Sequence, residues 1–126
     1  QNPDLTPDER NAVWLELEHK YRPWIDFDNL PFYGRGAGWQ RQLHIYECPF
    51  YYIDYCLSTM AALQFFLLSL HDQKDAWERY LRLVRRAGTA SYTELCETAG
   101  LQVPFRDGSI KAIAQQMSQW IAEHQV

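Results

Sequence analysis

An all-α fold of about five helices, packed as an irregular bundle, is predicted by three features of this sequence. Two segments open with capping boxes, in which a Ser or Thr is followed three residues later by Glu. Apolar residues recur at helical spacing through each long segment. No stretch alternates apolar and polar residues between turn residues, as a half-buried strand would. With 126 residues, the chain has room for one domain with one core, taken here as residues 1–126.

The first predicted helix lies in LTPDERNAVWLELEHKY, with Thr6 as N-cap, Pro7 at the first helical position and Glu9 reaching back. Trp14, Leu17 and Tyr21 fall on one face, and Pro23 ends it. An irregular segment, RPWIDFDNLPFYGRGAG, follows from Arg22 to Gly38, and a loop of that length inside a compact domain is often functional. Its aromatics pin it to the body. Gly34, Gly36 and Gly38 do not make a phosphate loop, because no strand precedes them and no GK[ST] follows. A long helix runs from about Pro49 to Leu70, and the next starts after Asp72, with Ala76, Trp77, Tyr80, Leu81 and Val84 on one stripe and Gly88 as its stop. SYTELCETAG is a shorter helix, capped by Ser91 and Glu94 and stopped at Gly100. After the loop LQVPFRDG, the last helix carries Ile110, Ile113, Ala114, Met117 and Ile121 on one face.

Composition narrows the function classes. Apolar residues make up 47% and charged residues 22%, a globular balance with a 15% aromatic share that favours a dense core. A net charge of −4 argues against a nucleic-acid surface, which needs clustered Lys and Arg. The one basic cluster, Arg82, Arg85 and Arg86, sits at a helix end, where cations offset the partial negative charge. Three cysteines, Cys48, Cys56 and Cys96, make no CxxC and no even framework, so a reducing compartment, the cytoplasm, is expected. The segment from Pro49 to Leu70 is long enough to span a membrane. Its Asp54, Ser58, Thr59, Gln64 and Ser69 make a buried helix of a soluble protein the better expectation. No signal peptide is visible, and a chain that begins with Gln suggests a processed or truncated product.

The stretch HIYECPFYYIDYCLSTMAALQFF, from His44 to Phe66, opens with a histidine, four tyrosines and two acids before turning apolar. On one continuous helix, Tyr51, Asp54, Tyr55 and Ser58 would share an arc of about 100°. Phe50, Ile53, Leu57, Met60 and Leu67 would face the core. The phenols could simply pack and bond internally, as buried tyrosines usually do. Alternatively they line a cleft, where rigidly held donors meet an oxygen that gains negative charge during reaction. His44 and Cys48 have i, i+4 spacing, but Pro49 interrupts the helix and four zinc ligands cannot be assembled. Glu18-His19 is no HExxH, since no second histidine follows at the right spacing. His19, His71 and His124 read as surface residues on helices.

Over GWQRQLHIYECPFYYIDYCLSTMAALQF the sequence resembles the oligoendopeptidase F family of zinc metallopeptidases, relatives of thimet oligopeptidase. The resemblance joins a WQRQxHI run to PFYYIDY and an ALQ-containing helix. It extends to LTPDERNAVWLELEHKY on one side and to YTELCETAGL and PFRDGSI on the other. It covers nearly the whole chain, but only the C-terminal part of a family member. What it implies is a helical, deep-channelled enzyme that hydrolyses short peptides, with zinc held by HExxH and a downstream glutamate. Carried over by motif position, His44, Tyr51, Tyr52 and Tyr55 lie near the substrate carbonyl and help hold the peptide and the oxyanion. Helical geometry favours Tyr55 with either Tyr51 or Tyr52. The zinc motif, the third ligand and the general base are missing from this sequence. The expectation is therefore a cleft-forming segment that binds no zinc and is inactive by itself, completed by a missing N-terminal part or covering its apolar surface by self-association. The competing expectation is a stand-alone helical interaction or dimerisation protein, whose tyrosines and tryptophans anchor a partner.

Overall fold

A computed structural model describes residues 2–124. The described chain is all α-helical apart from turns, with six α-helices and one 3-10 helix. They are α1 (Pro7–Tyr21), the 3-10 helix (Ala37–Arg41), α2 (Leu43–Glu47), α3 (Ile53–His71), α4 (Gln73–Arg86), α5 (Tyr92–Ala99) and α6 (Ser109–Glu123). The chain divides into two compact units between Tyr52 and Ile53, each described by itself below.

In the first unit, α1 begins as its sequence dictates. Thr6 Oγ1 accepts from the Glu9 amide, and the Glu9 carboxylate takes the Thr6 amide at 2.7 Å. Those bonds hold the Glu9 carboxyl below its usual range. The helix packs on the 3-10 helix. Gly36 makes that approach possible. It sits at φ +76°, and a Cβ there would lie 2.0 Å from the carbonyl oxygen of Asn11. Asn11 also accepts the indole N–H of Trp39 at 2.8 Å, so one turn of α1 anchors both ends of the seam.

In the second unit, α3 packs on α4 and α6, and α4 on α5. Cys96, Ala99, Leu101 and Val103 form its buried centre, against Ala61, Phe65, Leu68, Leu83 and Tyr92. Gln64, buried on α3, supplies the polar lock. Its side-chain oxygen accepts the Gln102 amide at 2.7 Å and its Nε2 donates to the Gln102 carbonyl at 3.1 Å. Both backbone groups of loop residue Gln102 are thus satisfied by one side-chain amide. Asp72 caps α4, and the Ser91–Glu94 capping box starts α5, which ends at Gly100 with φ +67°.

Three expectations need correction. The long helix does not begin at Pro49. Residues 49–52 form a turn, with Phe50 in the left-handed region at φ 70°, and α3 starts at Ile53. Tyr51 and Tyr52 are therefore not on the helix that carries Tyr55. Second, α3 is not a buried rod within this chain. Gln64 is its one buried residue, and Ile53 is 56% exposed. By length and composition it could cross a membrane, a test that core helices also pass. Third, Trp77 and Val84 of the α4 stripe are exposed, whereas Ala76 is buried, Tyr80 meets Phe65 edge-on and Leu83 joins the core cluster.

Candidate functional site

Histidine and phenols do come together in the first unit. His44 lies on α2, a single short helix between Gln42 and Cys48. The turn at residues 49–52 follows, bringing two tyrosine rings onto the imidazole. Tyr51 stacks parallel to it, with centroids 5.9 Å apart and planes 2° apart. Tyr52 meets it edge-on at 5.0 Å and 72°. Such aromatic pairs fix ring orientation and contribute about 0.5–1.5 kcal/mol each beyond area burial. The left-handed Phe50 is what makes this turn tight. An aromatic residue rarely adopts that conformation, so the turn is held at an energetic cost.

The phenols are open. Tyr51 is 49% exposed and Tyr52 51%, whereas His44 is half-buried. His44 and Tyr52 also line a cleft of about 250 Å³ with Trp14, Ile45, Cys48 and Phe50. An apolar wall beside a few positioned polar tips suits recognition of an extended, partly apolar ligand. Tyr55, on the first turn of α3 in the second unit, is 48% exposed. Its backbone carbonyl accepts the hydroxyls of Ser58 and Thr59. The structure thus gathers three of the four expected residues, His44, Tyr51 and Tyr52, within one unit, and places Tyr55 in the other.

A larger groove, about 1020 Å³, lies elsewhere in the second unit beside Phe65, His71, Lys74, Trp77 and Tyr80. It is broad and mostly apolar, and two of its polar side chains are engaged locally: the Ser69 hydroxyl donates to the Phe66 carbonyl, and the Asp72 carboxylate accepts the Lys74 and Asp75 amides as the cap of α4. We therefore take the smaller cleft as the site. The cysteines offer no activated nucleophile in the core either. Cys96 is buried, and burial raises its thiol pKa above the ordinary value. Burial also raises its hydrogen-bonded neighbour, the Tyr92 phenol, whose hydroxyl donates to the Leu57 carbonyl at 2.8 Å.

Metal chemistry does not fit these residues. Among the described residues, no group of three His, Cys, Asp or Glu side chains is placed to hold an ion. His44 lies on α2 and Cys48 is its C-cap, without the further ligands that zinc takes.

Sequence reasoning missed α2 and the 3-10 helix before it. GWQRQLHIYE shows no clear amphipathic period, because each helix is barely a turn or two long. It also missed the buried state of Glu18, discussed below. A glutamate in LELEHK carries no sign that it faces inward.

Two solved structures match the chain, an X-ray structure at 3.1 Å assigned to oligoendopeptidase F and PZ peptidase A with an inhibitor. Their TM-scores are 0.88 and 0.89, and each is 41% identical in sequence over 98% of this chain. This chain spans 22% of the length of each of them. No family model matches the chain, and no curated protein matches it significantly.

Proposed function

We propose that this chain, a relative over nearly its whole length of a segment of the oligoendopeptidase F peptidases, serves as the C-terminal, cleft-forming part of a peptidase acting on short peptides. The similarity of 41% over 98% of the chain carries this reading. The half-exposed phenols around His44, beside an apolar cleft, support it from the chemistry.

The roles follow from how a peptide bond breaks. Attack on the scissile carbonyl turns its oxygen into an oxyanion, and donors aimed at that oxygen strengthen as the charge develops. Phenol O–H and imidazole N–H groups are donors of that kind. In this reading His44, Tyr51, Tyr52 and Tyr55 hold the carbonyl and the oxyanion, and the stacked rings keep the imidazole from turning away. Zinc, when bound by the rest of such an enzyme, supplies a Lewis acid and an activated water. This chain's own residues bind, orient and donate.

Donors alone do not hydrolyse peptides at neutral pH. Incubated alone with a quenched fluorogenic peptide and zinc, the chain is expected to show no turnover above buffer. Chelator-sensitive cleavage by the chain alone would contradict that. The exposed apolar residues of α3 and α4, Ile53, Leu70 and Trp77 among them, are the surface we assign to the remainder of the enzyme. Two exposed free cysteines, Cys48 and Cys56, fit a reducing compartment such as the cytoplasm.

The same exposed aromatics favour a second reading, a stand-alone interaction protein whose rings anchor a partner or a second copy. Under that reading the Tyr51, Tyr52 and Tyr55 hydroxyls have no part in catalysis by any assembly that contains the chain.

A further inference from the structure

His44 sits on a helix too short to hold its own orientation. α2 has five residues, and no side chain caps its N-terminus. Helices shorter than about 12 residues are marginal in water, so what grips α2 from outside sets its rotation. Successive residues turn by about 100°, which puts His44 and Tyr46 on nearly opposite sides of α2. Tyr51 and Tyr52 meet the His44 side. On the other side the Tyr46 ring stacks on the Trp39 indole, with centroids 6.3 Å and planes 27° apart. Trp39 is itself fixed. Its indole N–H donates to Asn11 Oδ1 on α1 at 2.8 Å, across 28 residues of sequence.

These contacts run in series from α1 to α2. An indole nitrogen only donates, so Trp39 needs an acceptor at one place, and the Asn11 amide oxygen supplies it. Without that bond the indole would turn on its side-chain torsions, and the face that Tyr46 meets would move. Tyr46 is 58% exposed, so burial does little to hold its ring, and the indole face is its support. We propose that, with the donor role assigned above to His44 as premise, Asn11 is a positioning residue for the imidazole. It acts through Trp39 and Tyr46 on the rotation of α2, and so on the direction in which His44 donates. A merely structural Asn11 would staple the 3-10 helix to α1 and leave His44 where it is.

The test reads His44 directly, by NMR of the isotopically labelled full chain. Its imidazole C–H resonance is displaced by the ring currents of Tyr51 and Tyr52. Asn11→Leu keeps bulk and removes the acceptor, whereas Trp39→Phe keeps a ring and removes the donor. Each should move the His44 resonance toward that of an exposed histidine such as His19. The double variant should move it no further, because one series is broken once. Asn11→Asp keeps an acceptor and should leave it in place. Unmoved ring resonances of Phe27, buried in the same unit, show that the unit is folded. If Asn11→Leu does not fold, Tyr46→Leu, at an exposed position, breaks the last contact and should move His44 likewise. In an oligoendopeptidase F that contains this segment, Asn11→Leu should lower kcat about tenfold with KM within a few-fold, and Asn11→Asp should restore it. An unmoved His44 in Asn11→Leu, or in Tyr46→Leu where that variant replaces it, or a further shift in the double variant, would overturn the assignment. A His44 that moves while kcat stays unchanged upholds the positioning and removes the donor role of His44, so the two failures are told apart.

Discussion

Tyr55→Phe, made in an oligoendopeptidase F that contains this segment, is expected to lower kcat about 100- to 1,000-fold and to leave KM within a few-fold. The magnitude is that of losing one oxyanion donor, about 2.7–4 kcal/mol. The pattern matters as much as the size. A donor used only as charge develops lowers kcat and kcat/KM together, whereas a substrate-binding contact raises KM. One of Tyr51→Phe and Tyr52→Phe should behave the same way. The other substitution should change kcat little, because both rings lie on His44 and removing a hydroxyl leaves that stacking intact. Steady-state kinetics on a fluorogenic peptide measure all three. A Tyr55→Phe enzyme with unchanged kcat would remove Tyr55 from the proposed role.

The largest stability effect is expected at Gly36. Alanine there must hold a left-handed backbone, which costs about 1–2 kcal/mol, and its methyl group meets the Asn11 carbonyl. Overpacking of that kind adds about 1–3 kcal/mol, and the obstacle is helix backbone, not a side chain that swings aside. A total loss of about 2–5 kcal/mol should appear in urea unfolding followed by tryptophan fluorescence. Gly88 and Gly108 make the control. Both have positive φ, at 78° and 80°, yet nothing lies within 4 Å of a Cβ at either position. Alanine at those positions should cost the backbone term alone. Equal losses at Gly36 and Gly88 would show that the close approach of α1 to the 3-10 helix contributes nothing.

Local signals in this sequence were the legible ones. Thr6 with Glu9, Ser91 with Glu94, Asp72 and Gly100 mark helix ends by hydrogen-bond chemistry that neighbouring residues complete, and each end lies where the sequence puts it. The start of α3 was misjudged for a related reason. Pro49 resembles a first helical residue, but the left-handed Phe50 that follows breaks the run, and an aromatic in that conformation has no sequence signature. Burial was the least legible property. Ile53 and Leu70 look like core residues and are exposed, whereas Glu18 looks like a surface residue and is buried. Burial depends on what packs against a face, and spacing along one helix does not supply that. Motif likeness grouped His44, Tyr51, Tyr52 and Tyr55, and the structure shows how the first three meet, through a turn and not along a helix face.

In the proposed role this chain completes a cleft whose metal-holding part lies on another stretch of polypeptide. That role is tested most directly by mixing the purified chain with a separately produced oligoendopeptidase F lacking this segment but retaining HExxH, and following cleavage of a quenched peptide. Cleavage that needs both components, rises with chain concentration to saturation and stops on chelation is the predicted result. A complement whose activity is the same with and without the chain, although the two bind, would contradict it.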